Sequence, residues 1–329
     1  MVKKMAGGVL RGQISLISMT LPVGLFEPRS HLERIVDCWV LAPYFLSNAG
    51  DLDPLEQMKR TMAFAVSGLE YNVAQVKPFN PVIGETYEAA FADGTQIFCE
   101  QFAHHPPVSG YEMFGPNNSY HLHGAGEWHA SFSGNSVKGH QTGRSVISFR
   151  NGTTLAITWP HISIRGLIYG DRIIEFEKEA IFEDVTNGLT GVIYFNPDAT
   201  GLLGSIGGWF SSKKKIPSDY FRGGIYTGPI DPENPALNRV AEVSGTWLGW
   251  LDFDDGDRYW DIRDPHLKPF RPLPVPYPLP SDCRYRLDIV NLKEGNSDGA
   301  QAAKHELEEA QRADAKLRKA GAKARSSQR

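Results

Sequence analysis

KPFNPVIGETYEAAFADGTQIFCEQFAHHPP, residues 77–107, divides the chain into two textures. Before it, HLERIVDCWVLAPYFL from His31 and DPLEQMKRTMAFAVSGL from Asp53 place apolar residues at three- and four-residue spacing. That spacing predicts a pair of helices after Ser30. From KPFNP onward the pattern changes to short apolar runs: TQIFCEQF, SVISF, TLAITW, RIIEFEK, GVIYF and TWLGWLDF, separated by glycine, asparagine and aspartate. Many short strands with turn signals predict an antiparallel sheet that is large or closed on itself. The 33 glycines and 22 prolines suit the tight connections such a sheet needs.

Working outward, KPFRPLPVPYPLP at 268–280 is proline-dense and reads as an extended connector. From Asp298 the run DGAQAAKHELEEAQRADAKLRKA is dominated by strong helix formers and predicts one long polar helix. Strands and helices do not alternate, and no GxGxxG or GxxxxGKS pattern stands at a strand-to-helix junction. A doubly wound nucleotide fold is therefore not expected. The chain reads as one domain over 1–329. An N-terminal lid occupies 1–29, a helical segment 30–76, a strand-rich body 77–270, and a connector with a closing helix 271–329.

Composition bounds the function. At 41% hydrophobic and 22% charged, the chain suits a globule with a sizeable core. A net charge of −4 gives no overall pull toward nucleic acid. Three scattered cysteines, Cys38, Cys99 and Cys283, make neither a disulfide framework nor a metal knot. No charged-then-apolar leader follows Met1, and the apolar stretch from Val9 to Phe26 is broken by Arg11, Gln13, Ser15, Ser18 and Pro22. A cytoplasmic protein that meets membranes from the water side is the expectation.

Three constellations can carry chemistry. In EQFAHHPP, residues 100–107, Pro106 and Pro107 fix their φ angles and the first holds His105 toward extended geometry. His104 and His105 are thus presented by a stiff backbone, and both reach one ligand only if the turn rotates them. Imidazoles there suit phosphate, although a structural turn with one buried histidine has the same sequence. In KPFNPVIGETYE, Lys77 and Asn80 flank two prolines, holding a point charge and an amide donor at fixed offset. An ordinary surface loop also fits. On the closing helix Lys304, Glu308 and Arg312 share a face, because each four-residue step rotates only about 40°. Two cations bridged by one carboxylate can grip phosphate, but the same spacing equally fits a plain solvated helix laced with i,i+4 pairs worth about 0.3–0.5 kcal/mol each.

Competing chemistries are weaker. His104, His105, His121, His123 and Glu100 contain metal-ligand types, but no HExxH spacing supports a metal-dependent hydrolase. No GxSxG elbow is present. GWFSSKKK at 208–215 pairs aromatics with lysines, as a solvated loop or a patch for an anionic membrane.

Together these segments resemble the ligand-binding domain of oxysterol-binding-protein-related proteins, from about residue 14 to 319. The family fingerprint EQ-x-SHHPP stands here as EQFAHHPP. SMTLPVGLFEPRSHLERIVD, AFAVSGLEYNVAQVKPFNPVIGETYE, FSGNSVKG and LPSDCRYRLDIVNLKEGNSDGAQAAKHELEEAQR are similar to its other segments. The resemblance implies a mainly β fold with helices (α+β). Its core is a near-complete antiparallel β-barrel around a hydrophobic tunnel, with a lid, a helical pair and a long C-terminal helix.

It further implies a non-enzymatic lipid exchanger without cofactor or metal. Such a protein contacts membranes transiently and binds phosphatidylinositol 4-phosphate and a second lipid, a sterol or phosphatidylserine. On the family pattern Lys77 and Asn80 meet the glycerol-linked phosphate. His104, His105, Lys304 and Arg312 hold the 4-phosphate, and Glu308 meets inositol hydroxyls. FEPRS at 26–30 is closer to the phosphatidylserine-binding pattern. Two departures stand out: Ala103 replaces the family serine, and DDGDRYWDIRD at 254–264 is unlike the expected segment. A lipid sensor acting through a protein partner is the alternative of the same binding chemistry.

Overall fold

The computed structural model describes residues 21–73, 76–167, 169–197, 217–228, 230–231, 234 and 236–326. Most of the proposed lid and the GWFSSKKK segment lie outside them. β1 (Phe26–Ser30) leads into α1 (His31–Asp37), α2 (Ala42–Leu46) and α3 (Pro54–Ser67). Then come β2 (Lys77–Phe79), β3 (Thr86–Ala90), β4 (Gln96–His104), β5 (Pro107–Phe114), β6 (Tyr120–Ser133), β7 (Ser136–Thr142), β8 (Ser145–Phe149) and β9 (Thr154–Thr158). They are followed by β10 (His161–Arg165), β11 (Ile173–Glu177), β12 (Glu179–Asp184), β13 (Leu189–Phe195), β14 (Tyr220–Thr227) and β15 (Arg239–Thr246). β16 (Trp250–Phe253), β17 (Arg258–Asp261), β18 (Leu273–Pro274), α4 (Leu287–Lys293) and α5 (Ser297–Ser326) complete the described chain.

Sixteen strands form one antiparallel sheet, thirteen of them in the order β17-β16-β15-β14-β13-β12-β9-β8-β6-β5-β4-β3-β18 and three on a branch, while β1 and β2 pair in parallel. β6 forks the sheet: its first half pairs with β8 and its second with β7, which continues to β10 and β11. The sheet is a near-barrel: among the described residues β17 and β18 end the main path without pairing to each other, and β11 ends the branch. Alternation sets its inner face. On β4, Ile97, Cys99 and Gln101 are buried while Gln96, Phe98, Glu100 and Phe102 are exposed.

Of the helices, α1 and α3 pack against the sheet, while α4 packs on α5 and on β1. Asp53 caps α3 by accepting from the Leu55 and Glu56 amides, and Pro54 takes the first helical position, where its missing N–H costs nothing. α3 then lies against β12, β13, β16 and β17 with Met58, Met62, Ala63 and Phe64 buried. The helical pair expected after Ser30 is three helices. Residues 38–41 are a turn, because Pro43 lacks an amide and its ring clashes with the carbonyl four residues back. TWLGWLDF is likewise two strand ends and a turn: Gly249 donates to the Thr246 carbonyl (2.9 Å), and β15 and β16 pair across it. The proline-dense connector is non-helical but for nothing more regular than β18, which adds to β3. Cys38, Cys99 and Cys283 are free thiols.

A second, smaller core fixes the site. Val23, Phe26, Phe79, Ile289 and Ala300 are buried together, joining β1, β2, α4 and the start of α5. The Val23 amide donates to Gln301 of α5 (3.0 Å).

Candidate functional site

Phe26 stands at the centre. Its ring stacks on Phe79 at 4.8 Å, and two lysines converge on it: Lys77 Nζ at 4.9 Å and Lys304 Nζ at 5.6 Å from the centroid. An aromatic face attracts cations, so one ring can gather two of them although they repel each other. Lys77 reaches solvent, yet burial and the nearby Lys304 ammonium push its pKa down to about 8. Lys77 Nζ donates to Asn80 Oδ1 (2.6 Å) and to the Pro78 carbonyl (3.1 Å). Lys304 is only 6% exposed.

From Lys304 the α5 face continues as expected from the four-residue spacing. Lys304 and Glu308 are ion-paired, and Arg312 reaches Glu308 at 3.3 Å while also bridging Glu309. Glu308 bears electrostatically on His104, opposing the burial and the neighbouring His105 that hold the His104 imidazole below the usual histidine range. α5 thereby links the lysine pair to the histidine turn.

That turn is a two-residue connection: His104 pairs with Pro107 across the β4–β5 ladder. The chain rotates enough to bring the His104 and His105 ring centroids within 4.5 Å, although adjacent strand residues ordinarily diverge. Gln101 Nε2 donates to the Ala103 carbonyl, and Ser109 Oγ donates to Gln101 Oε1 (2.7 Å). These bonds order the turn with alanine at 103. Phe102 covers Gly110 so closely that a Cβ there would sit 2.1 Å from the ring.

The structure therefore gathers Lys77, Asn80 and Lys304 around Phe26, and Glu308 and Arg312 extend this group toward His104 and His105. It does not gather a metal site. His121 aligns through Phe114 with Gln96, at the far end of β4 from His104. Eight residues of strand separate them, roughly 25 Å. Among the described residues no three histidine, cysteine or acidic side chains stand so as to hold a metal ion.

Sequence reasoning missed the network beneath the site. Arg286 Nη1 pairs with Glu85 (2.7 Å) and donates to the Asn80 carbonyl (2.9 Å), and Arg286 Nη2 pairs with Asp288 (2.6 Å). Glu85 also accepts from Ser30 Oγ and from the Val82 amide (2.9 Å). Burial raises the Glu85 pKa, with Arg286 and the donors opposing it. One buried guanidinium thus ties β1, the 77–82 loop and α4 together.

Residues 9–224 and 272–328 match the family model described as oxysterol-binding protein. Oxysterol-binding protein 9 of Dictyostelium discoideum is 38% identical over 322 residues, covering 95% of this chain and 73% of that protein. Human oxysterol-binding protein-related protein 2 is 28% identical, over 91% of this chain and 72% of that protein. The Osh3 ORD of Saccharomyces cerevisiae, solved in complex with PI(4)P, superposes with a TM-score of 0.74 at 25% identity, covering 95% of this chain and 84% of that one. The Osh1 ORD domain solved with ergosterol shares the fold, with a TM-score of 0.75 at 21% identity over 95% and 79% of the two chains. The stretch outside the family model, 225–271, contains the divergent DDGDRYWDIRD; here it ties β16–β17 to α3 through Lys59–Asp255 and Tyr259–Glu56 (2.6 Å). With the fingerprint turn, the near-barrel and a match across most of the sequence, the chain belongs to the oxysterol-binding protein family.

Proposed function

We propose that this protein exchanges lipids between membranes as a non-enzymatic carrier. It holds phosphatidylinositol 4-phosphate by its headgroup at Lys77, Asn80, His104, His105, Lys304, Glu308 and Arg312. The observation that carries this is the pair of lysine ammoniums on the Phe26 ring, close enough that burial and repulsion depress the Lys77 pKa. Glu308 balances Lys304, whereas the bonds Lys77 makes go to the neutral Asn80 amide and Pro78 carbonyl, so a phosphate beside Lys77 relieves both its burial and its repulsion from Lys304. Two adjacent imidazoles and Arg312 add the donors that a partly desolvated phosphate requires. The PI(4)P complex of the Osh3 ORD supports this choice of ligand.

Acyl tails or a second lipid move from bilayer to protein interior at little net cost, since both surroundings are apolar. Residues 1–29 act as the lid. A sterol as second cargo is supported by the relatives' names and the Osh1 complexes; phosphatidylserine is supported by FEPRS. The protein works in the cytoplasm at membrane surfaces; among the described residues no helix is long and apolar enough to cross a bilayer.

The test is transfer between donor vesicles holding phosphatidylinositol 4-phosphate and acceptors holding a sterol or phosphatidylserine. Phosphoinositide movement should accelerate with the protein, and the lipid whose presence accelerates it further names the second cargo. Stable loading with no transfer would favour a sensor, and no loading would remove the headgroup assignment.

A further inference from the structure

α5 continues well past the site, and its second half differs from the rest of the molecule. Residues 312–326 hold six basic side chains, Arg312, Lys316, Arg318, Lys319, Lys323 and Arg325, against one acidic, Asp314. A net +5 thus sits on one stretch of a chain whose total charge is −4. Every residue from 313 to 326 except Gly321 is exposed; the buried residues of this helix, Ala300 and Lys304, both precede it. Beyond Arg312 none of the five basic side chains has an ion pair among the described residues, whereas Arg312 is paired to Glu308 and Glu309.

Spacing aligns this charge with the site. At about 100° per residue, Arg312, Lys316, Lys319 and Lys323 fall within roughly 60° of one another, continuing the stripe begun by Lys304 and Glu308. The stripe runs about 17 Å beyond Arg312, to Lys323. Asp314, Arg318, alanines and Gly321 occupy the positions between, and Leu317, 71% exposed, is the sole large apolar side chain. A helix so poor in apolar residues lies on a charged surface and does not insert into the acyl region.

We infer that residues 312–326 are a docking rail that rests on an anionic lipid bilayer and brings the adjoining site to it. The inference builds on the lipid-carrier reading. Two features favour a bilayer as occupant: the rail continues from the proposed headgroup site, and its charges spread along a line that suits a planar anionic surface. Contact is electrostatic, so it weakens as salt shortens the screening length to about 8–10 Å.

The test is sedimentation of the full chain with phosphatidylcholine vesicles, with and without phosphatidylglycerol, an anionic lipid that is not a proposed cargo. Wild type should sediment with the anionic vesicles only and be released by salt. Lys316→Ala/Lys319→Ala/Lys323→Ala keeps helix-forming residues at exposed positions and should bind roughly a hundredfold more weakly, about fivefold per charge. Its loading with short-chain phosphatidylinositol 4-phosphate should be unchanged. Wild-type sedimentation by this variant, with helix content intact by circular dichroism, overturns the inference, as does equal binding of wild type to neutral vesicles. Lys77→Ala/Lys304→Ala should still dock while losing headgroup loading, which separates failure of the rail from failure of the headgroup site.

Discussion

Replacing Arg286 with methionine should be among the most damaging single changes in the molecule. The Arg286 side chain is 9% exposed, and its partners Glu85 and Asp288 are 1% and 0% exposed. Methionine keeps apolar bulk against Phe79, over whose ring the guanidinium lies at 5.5 Å, but leaves two buried carboxylates without their cation and the Asn80 carbonyl without its donor. Breaking a buried ion pair from one side costs about 3–5 kcal/mol. Urea denaturation of wild type, Arg286→Met, Glu85→Gln and the double variant measures this directly. The double variant should be more stable than Arg286→Met alone, because the glutamine no longer needs a counter-charge.

The deficit should also depend on pH. In Arg286→Met the buried Glu85 keeps a pKa above its unfolded value, so the cost is fully present above that folded pKa. Measured against wild type, it shrinks as pH falls toward the lower pKa that Glu85 has beside Arg286. A loss below about 1 kcal/mol, additive with Glu85→Gln and flat from pH 8 to pH 5, would refute the network.

Other consequences follow from the same geometry. Lys77 has a pKa near 8 in the free protein, and bound phosphate raises it. Affinity for short-chain phosphatidylinositol 4-phosphate, read by calorimetry, should therefore hold from pH 7 to 8 and then fall by up to about tenfold per unit; Lys77→Arg should abolish the fall. Phe26→Leu keeps an apolar side chain but removes the aromatic face gathering both lysines, so headgroup affinity should drop, alongside a stability loss of about 1 kcal/mol from the thinned core; unchanged affinity would count against the ring's role. Gly68→Ala places a Cβ 2.2 Å from the Cys38 carbonyl, forcing α3 away from α1, and should cost about 1–3 kcal/mol by denaturation with headgroup loading retained.

What the sequence made legible was local. The long helix from Asp298 declared itself through helix formers, and four-residue spacing alone put Lys304, Glu308 and Arg312 on one face. The prolines after His104 and His105 marked a stiff turn, though not that it would bring the rings together. Illegible features depended on distant partners or on short competing signals. Nothing near Glu85 announces Arg286, 201 positions away, or Ser30, 55 away. Thr246 and Trp250 are both strand formers, so the hairpin between them looked like one strand. α4, seven residues long, is too short for a helical period to stand out.

The most direct test of the account is native mass spectrometry after incubation with mixed liposomes, comparing wild type with His104→Ala/His105→Ala. Wild type should carry one phosphatidylinositol 4-phosphate and the double variant none, its substitutions lying at exposed and half-exposed positions that leave folding intact. Equal loading of both forms, or no phosphoinositide on either, would contradict the headgroup assignment.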